Sequence, residues 1–159
     1  MKKIVSVMLA MAMAVSLMAF SASAAGSDDT GQIVWSQDGI TIEKIEGDFI
    51  SPRSVLFEED YTGVDAYHGK GDCIASEGNC INVYFNNTNG NGDLYPVFTL
   101  YGYEIATSKL MVEKGKGYTY RIMRNDNGDI ESTLLVDVHS RDGHMMNFFI
   151  RARQYVYVP

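Results

Sequence analysis

The chain has 159 residues, with 20 acidic and 13 basic side chains and a net charge of −7. That balance excludes the basic footprint needed to grip nucleic acid or an anionic membrane surface. Its length fits one domain of ordinary size with a real core.

Met1-Lys2-Lys3 forms a short positive start, Ile4 to Phe20 is an uncharged apolar run, and Ser21-Ala22-Ser23-Ala24 offers small residues in the A-x-A pattern. These features predict a secretory signal peptide of bacterial type, residues 1–24, cleaved after Ala24. The rival reading is an uncleaved anchor, because the apolar run approaches the span minimum of about 17 residues. Ser6 and Ser16 interrupt it, and no Lys/Arg stop-transfer cluster follows. The only cysteines, Cys73 and Cys80, lie far from the cleavage point, which disfavours a lipoprotein. The expected product is a secreted, extracellular protein with no membrane contact after cleavage. Losing Lys2 and Lys3 leaves 11 basic against 20 acidic residues, a net charge of −9 on 135 residues.

Residues 25–31 are small and polar and predict a flexible N-terminal arm. From residue 32 to 159, short runs rich in Val, Ile, Tyr, Phe and Thr alternate with Gly, Asn and Asp, the pattern of an all-β domain. Strands are expected at Gln32–Ser36, Gly39–Ile45, Ser54–Glu58, Asn79–Asn86, Tyr95–Glu104, Lys109–Glu113, Tyr118–Arg124, Ile130–Ser140 and His144–Val158. Tyr61–Asp72, with three glycines, reads as a long loop. Eight or nine strands suit a two-sheet antiparallel β-sandwich, immunoglobulin-like or jelly-roll-like, that buries one face of each strand. An even cysteine count outside the cytoplasm predicts a Cys73–Cys80 disulfide, a local staple contributing about 2.5 kcal/mol.

The last third allows a register to be derived. Met146, Phe148, Ile150, Ala152, Val156 and Val158 share one face, broken only by Gln154, and Leu134, Val136 and Val138 form a matching set. Joining these faces in one sheet requires a three-residue loop Arg141-Asp142-Gly143 with Gly143 left-handed, which sets Val138 opposite Met146 and Glu131 opposite Arg153. A loop Asp126-Asn127-Gly128 does the same one turn earlier, placing Tyr120 opposite Leu134. The domain is thus expected to end in a three-stranded meander.

No nucleophile elbow, zinc-protease helix, phosphate loop or dinucleotide fingerprint is present. His139 and His144 fall on opposite faces of the derived register, so Asp137-Val138-His139-Ser140-Arg141-Asp142-Gly143-His144 reads as a hairpin tip rather than a metal site. The Asn/Gly-rich run Asn87–Asp93 lacks full calcium-loop spacing and reads as a turn. No cofactor is implied. The suggestive feature is the ten tyrosines. Tyr95, Tyr101 and Tyr103 share a parity, as do Arg151, Arg153, Tyr155 and Tyr157. If the two sets met, they would form a Tyr/Arg surface suited to sugar rings or a protein partner. The first expectation is therefore a non-enzymatic extracellular binding module for a polysaccharide or protein. The alternatives are a small secreted hydrolase using carboxylates or an Asp65/His68 pair, and a structural surface component.

Overall fold

The computed structural model describes residues 31–49 and 54–158. The expected leader, the arm as far as Thr30 and residues 50–53 lie outside the described residues. Ten strands form: β1 (Gln32–Gln37), β2 (Ile40–Glu46), β3 (Val55–Gly63), β4 (Tyr67–Cys73), β5 (Cys80–Asn86), β6 (Tyr95–Leu100), β7 (Tyr103–Ile105), β8 (Gly117–Arg124), β9 (Ser132–His139) and β10 (Met146–Tyr155). They make two antiparallel sheets, one ordered β1-β2-β8-β5-β10-β3 and the other β4-β9-β6-β7.

From Val55 onward the pairing is nested, β3 with β10, β4 with β9, β5 with β8 and β6 with β7. Nesting of this kind is one long antiparallel ribbon wound over on itself. Apart from the β6–β7 hairpin at its end, successive strands fall alternately in the two sheets, the jelly-roll arrangement. Pairing of β10 with β5 and of β9 with β6 completes the sheets. The β1–β2 hairpin extends the larger one beyond β8.

The sandwich agrees with the sequence expectation, but the terminal meander does not form. β8 and β10 lie in one sheet and β9 in the other. The inward parity was read correctly: Tyr120, Ile122, Leu134, Val136, Val138, Met146, Phe148 and Ile150 are all buried. Apolar sets of matching parity are satisfied as well by facing each other across a core as by pairing within a sheet. Gly143 does take a left-handed φ of 71°, yet its turn carries the chain from sheet to sheet. In the β8–β9 turn the left-handed residue is Asn127 (φ 55°), not Gly128. Arg153 consequently finds its carboxylate on β3, with Glu58 at 3.9 Å, instead of Glu131.

Other differences have local causes. Tyr61–Asp72 is not a long loop but the end of β3, a short turn and β4. Its glycines mislead because Gly69 and Gly71 are interior strand positions: an added Cβ at Gly71 would lie 2.7 Å from Leu56 Cβ, and at Gly69 3.0 Å from the Phe57 ring. Tyr95–Glu104 is split by a turn at Tyr101-Gly102, and Lys109–Glu113 yields a 3₁₀ turn over Ser108–Leu110 and a single bridge from Val112 to Leu94. Val156 and Val158 lie past the end of β10 and are exposed.

The cysteines are not disulfide-bonded. Cys73 closes β4 and faces the core. Cys80 opens β5 in the other sheet, where the inward residues are Ile81, Val83 and Phe85, so its thiol points to the outer face beside Tyr155. The two thiols therefore lie on opposite sides of the larger sheet and cannot be bridged without moving the backbone.

Gln154, the polar break in the apolar face of β10, is completely buried. Its Nε2 reaches the carbonyls of Gly78 and Ile130 at 2.8 Å and Ile74 at 3.0 Å, and its Oε1 accepts from Ile74 N at 2.9 Å. It therefore satisfies backbone groups of the β4–β5 connection and the β8–β9 turn that would otherwise be buried without partners.

Candidate functional site

Three turns converge at one end of the sandwich. The β1–β2 hairpin closes on Asp38-Gly39 with φ of 51° and 78°, and the β6–β7 hairpin closes on Tyr101-Gly102 with φ of 53° and 77°. Positive φ at both central residues is the mirror-image turn that matches strand twist. Asp-Gly suits that turn; Tyr at its first position does not. The third element is the β8–β9 turn, tied to the first where Asn125 N donates to Gly39 O at 2.8 Å and Thr41 Oγ1 donates to Asn125 Oδ1 at 2.6 Å.

Between them lies an open cleft of about 310 Å³, lined by Tyr101, Tyr103, Asp38, Arg124, Asn125 and Asp126 together with Gly39 and Ile40. Tyr101 is fixed from two sides, its N donating to Ser132 Oγ at 2.9 Å and its hydroxyl accepting from Glu131 N at 3.2 Å. Arg124 Nε donates to Asp126 Oδ1 at 2.9 Å, and Gly128 N donates to the same oxygen at 2.9 Å. The Arg124 hydrogen bond, with help from Gly128, holds the Asp126 carboxyl below its ordinary value. The pair is thus ionised and self-neutralised at neutral pH. What the cleft offers is two phenol rings, an amide and an oriented ion pair: flat apolar surface edged by hydrogen-bonding groups.

The tyrosine-rich set expected from sequence is divided. Tyr101 and Tyr103 share this cleft. Tyr95 lies on the outer face of the smaller sheet with the Arg141 guanidinium 4.0 Å above its ring. Arg151, Arg153, Tyr155 and Tyr157 belong to the larger sheet's outer side. There the segment following β2 lies over the sheet as far as Phe49, whose N donates to Thr119 Oγ1 of β8 at 3.0 Å. Asp48 ion-pairs with Arg151 of β10, and the rings of Phe49 and Tyr157 flank the guanidinium of buried Arg121 at 4.9 and 4.8 Å. Tyr155 is buried, its hydroxyl donating to Asn82 Oδ1 at 3.2 Å, and burial raises its pKa. Of the ten tyrosines, Tyr101 (38% exposed) and Tyr103 (54%) are the most exposed; the others are half-buried or buried.

His68 does not look to Asp65. Its Nδ1 lies 2.5 Å from Asp137 Oδ1 on the neighbouring strand, on an open face, while Asp65 contributes its carbonyl to the Tyr61 hydroxyl. Asp142 is the partner of His144. The buried Asn87 side chain turns its amide inward to the carbonyls of Gly92, Val112 and Glu113, as a loop-holding residue does. Asp38, Arg124, Asn125 and Asp126 were legible in sequence only as turn chemistry. The signal that could have singled out this end is the Tyr101-Gly102 dipeptide, a tyrosine where Asn or Asp is the ordinary choice.

Compared with protein-family models, curated proteins and solved structures, the chain matches none.

Proposed function

We propose that this chain is an exported, non-enzymatic carbohydrate-binding module whose ligand seats in the cleft between Tyr101, Tyr103 and the Asp38 and Asn125 turns. The export half rests on the leader sequence. The binding half rests on one observation: the two most exposed tyrosines, Tyr101 and Tyr103, converge on one cleft. A sugar ring presents C–H faces to an aromatic plane and hydroxyls to its rim, and phenol rings edged by Asp38, Asn125 and the Arg124–Asp126 pair complement both. The volume lies at the lower end of the roughly 300–1,000 Å³ of small-ligand clefts.

A protein ligand is the weaker alternative. A specific interface covers about 800 Å² per partner around an apolar centre. Among the large exposed apolar residues, Ile33 on β1, Val64, Leu135 on β9 and Met145 stand apart, and Val55, Ile74 and Val156 round the end of β10 make only a small group.

The test is a glycan array followed by calorimetry on the mature protein. We expect binding to at least one neutral glycan and a loss of about 30-fold, or about 2 kcal/mol, with Tyr103→Ala at unchanged thermal stability. Absence of any glycan ligand, or a Tyr103→Ala protein that binds as well as the parent, would refute the reading.

A further inference from the structure

The cleft does not end at Arg124. A second one, of about 280 Å³, adjoins it over the outer side of the larger sheet; it shares Arg124 and Asn125 and continues past Thr41 and Asn127 to Tyr157. Its far wall is built rather than incidental. Tyr157 N donates to Asn79 Oδ1 at 2.7 Å, and Asn79 Nδ2 donates to Tyr157 O at 3.1 Å and to Asn127 O at 3.3 Å. One buttressing side chain therefore fixes both the tyrosine and the turn facing it. The Tyr157 ring is backed by the buried Arg121 guanidinium, whose charge Glu43 meets at 3.3 Å.

Resting on the carbohydrate reading above, we infer that the ligand is a neutral oligosaccharide of at least two linked sugar units, lying across the Arg124–Asn125 ridge with one unit against Tyr103 and another against Tyr157. Two aromatic stations separated by a polar ridge suit a chain-like ligand with a ring at each station and its linkage over the ridge. The charges disfavour an acidic ligand. Both arginines bordering the joined groove carry a carboxylate partner, Asp126 for Arg124 and Glu43 for Arg121, so an acidic sugar would meet no uncompensated cation. The chain's overall acidity acts in the same direction.

Linked subsites make affinity grow with ligand length until both are filled, because the second contact is intramolecular once the first is made. Calorimetry with gluco-, xylo- and chito-oligosaccharides from monomer to hexamer reads this directly. We expect affinity to rise by about tenfold or more from the monomer and then level off. Tyr157→Ala is expected to remove the gain while leaving monomer binding intact, and Tyr103→Ala to weaken every length. Because the Tyr157 ring also packs on Arg121, Asn127→Gly serves as a second variant: it strips the rim of the far cleft alone and keeps a backbone whose φ is 55°. It too is expected to flatten the length dependence. A glycan bound with no gain in length, an oligomer whose affinity survives both variants, or a preference for acidic oligomers that fades with salt overturns this inference and leaves the carbohydrate reading standing. No glycan bound at any length removes both.

Discussion

At Tyr101 the backbone φ is 53°, in the left-handed region where a residue other than glycine costs about 1–3 kcal/mol and a bulky one is uncommon. The turn itself does not demand a tyrosine. Asp38, at the equivalent position of the β1–β2 hairpin, shows the ordinary solution with nearly the same φ. Such strain persists where the surroundings over-determine it, and here Ser132 Oγ and Glu131 N hold the residue at both ends while its ring lines the cleft. Tyr101→Asn is expected to move stability and binding in opposite directions. Asn tolerates the left-handed backbone, and the lost hydroxyl contact is exposed enough for water to replace, so the folded state should gain about 1 kcal/mol. The affinity for the glycan identified on the array should fall, since one of two rings is gone. Chemical denaturation and calorimetry on the same preparation check the pair; a destabilised variant, or a stabilised one of full affinity, contradicts the assignment of Tyr101 as a strained binding residue.

The strands set the chemistry of the two cysteines. Burial, aided by the nearby Asp72 carboxylate and opposed by a backbone hydrogen bond at Leu134, lifts the Cys73 thiol from 9.0 to about 11. Since the nucleophile is the thiolate, Cys73 should be inert in the native state at pH 8. Cys80, completely buried under the outer layer of the larger sheet, is shielded from reagent by sterics. Thiol labelling without reductant is expected to find neither cysteine in the folded protein and both after denaturation; an intramolecular disulfide would give none in either state. The same shift has a sign for stability. The unfolded thiol loses its proton near pH 9 while the folded one keeps it to about 11, so the contribution of Cys73 is complete below pH 9 and declines as pH rises through that window. The disulfide expectation failed for the reason the meander did. Which way a side chain points is a local, period-two property, and the parities of β8, β9 and β10 were legible without a structure. Which sheet a strand joins depends on nested pairings such as β3 with β10, about 90 residues apart, and no local spacing encodes them. The site divides along the same line: Tyr101 and Tyr103 were readable as a pair on one face, whereas Asp38, Arg124, Asn125 and Asp126 reach them only because the ribbon brings three turns to one end.

Over the whole molecule, the winding of the ribbon assigns different work to its two ends. The turns of β1–β2, β6–β7 and β8–β9 gather at the end that carries the cleft. The β5–β6, β7–β8 and β9–β10 connections gather at the other, roughly 23 Å away for strands of seven residues. That far end is organised around Asn87, completely buried, whose Nδ2 lies 3.0 to 3.2 Å from the carbonyls of Gly92, Val112 and Glu113 and whose own carbonyl accepts from Gly90 N and Gly115 N. Replacing Asn87 with Ala removes three hydrogen bonds, leaving Val112 O and Glu113 O with their backbone donors Leu94 N and Lys116 N but taking the side-chain donor from Gly92 O, and should cost about 1–2 kcal/mol. No described contact links Asn87 to the three turns of the cleft, and sites so far apart without shared partners behave independently. Asn87→Ala is therefore expected to lower the denaturation midpoint, followed by the fluorescence of the single tryptophan, Trp35, while leaving glycan affinity at the parent value. Tyr103→Ala is expected to do the reverse. If Asn87→Ala weakened binding as much as it weakened the fold, the cleft could not be a rigid feature of one end, and the ligand would have to be sensed by the sandwich as a whole.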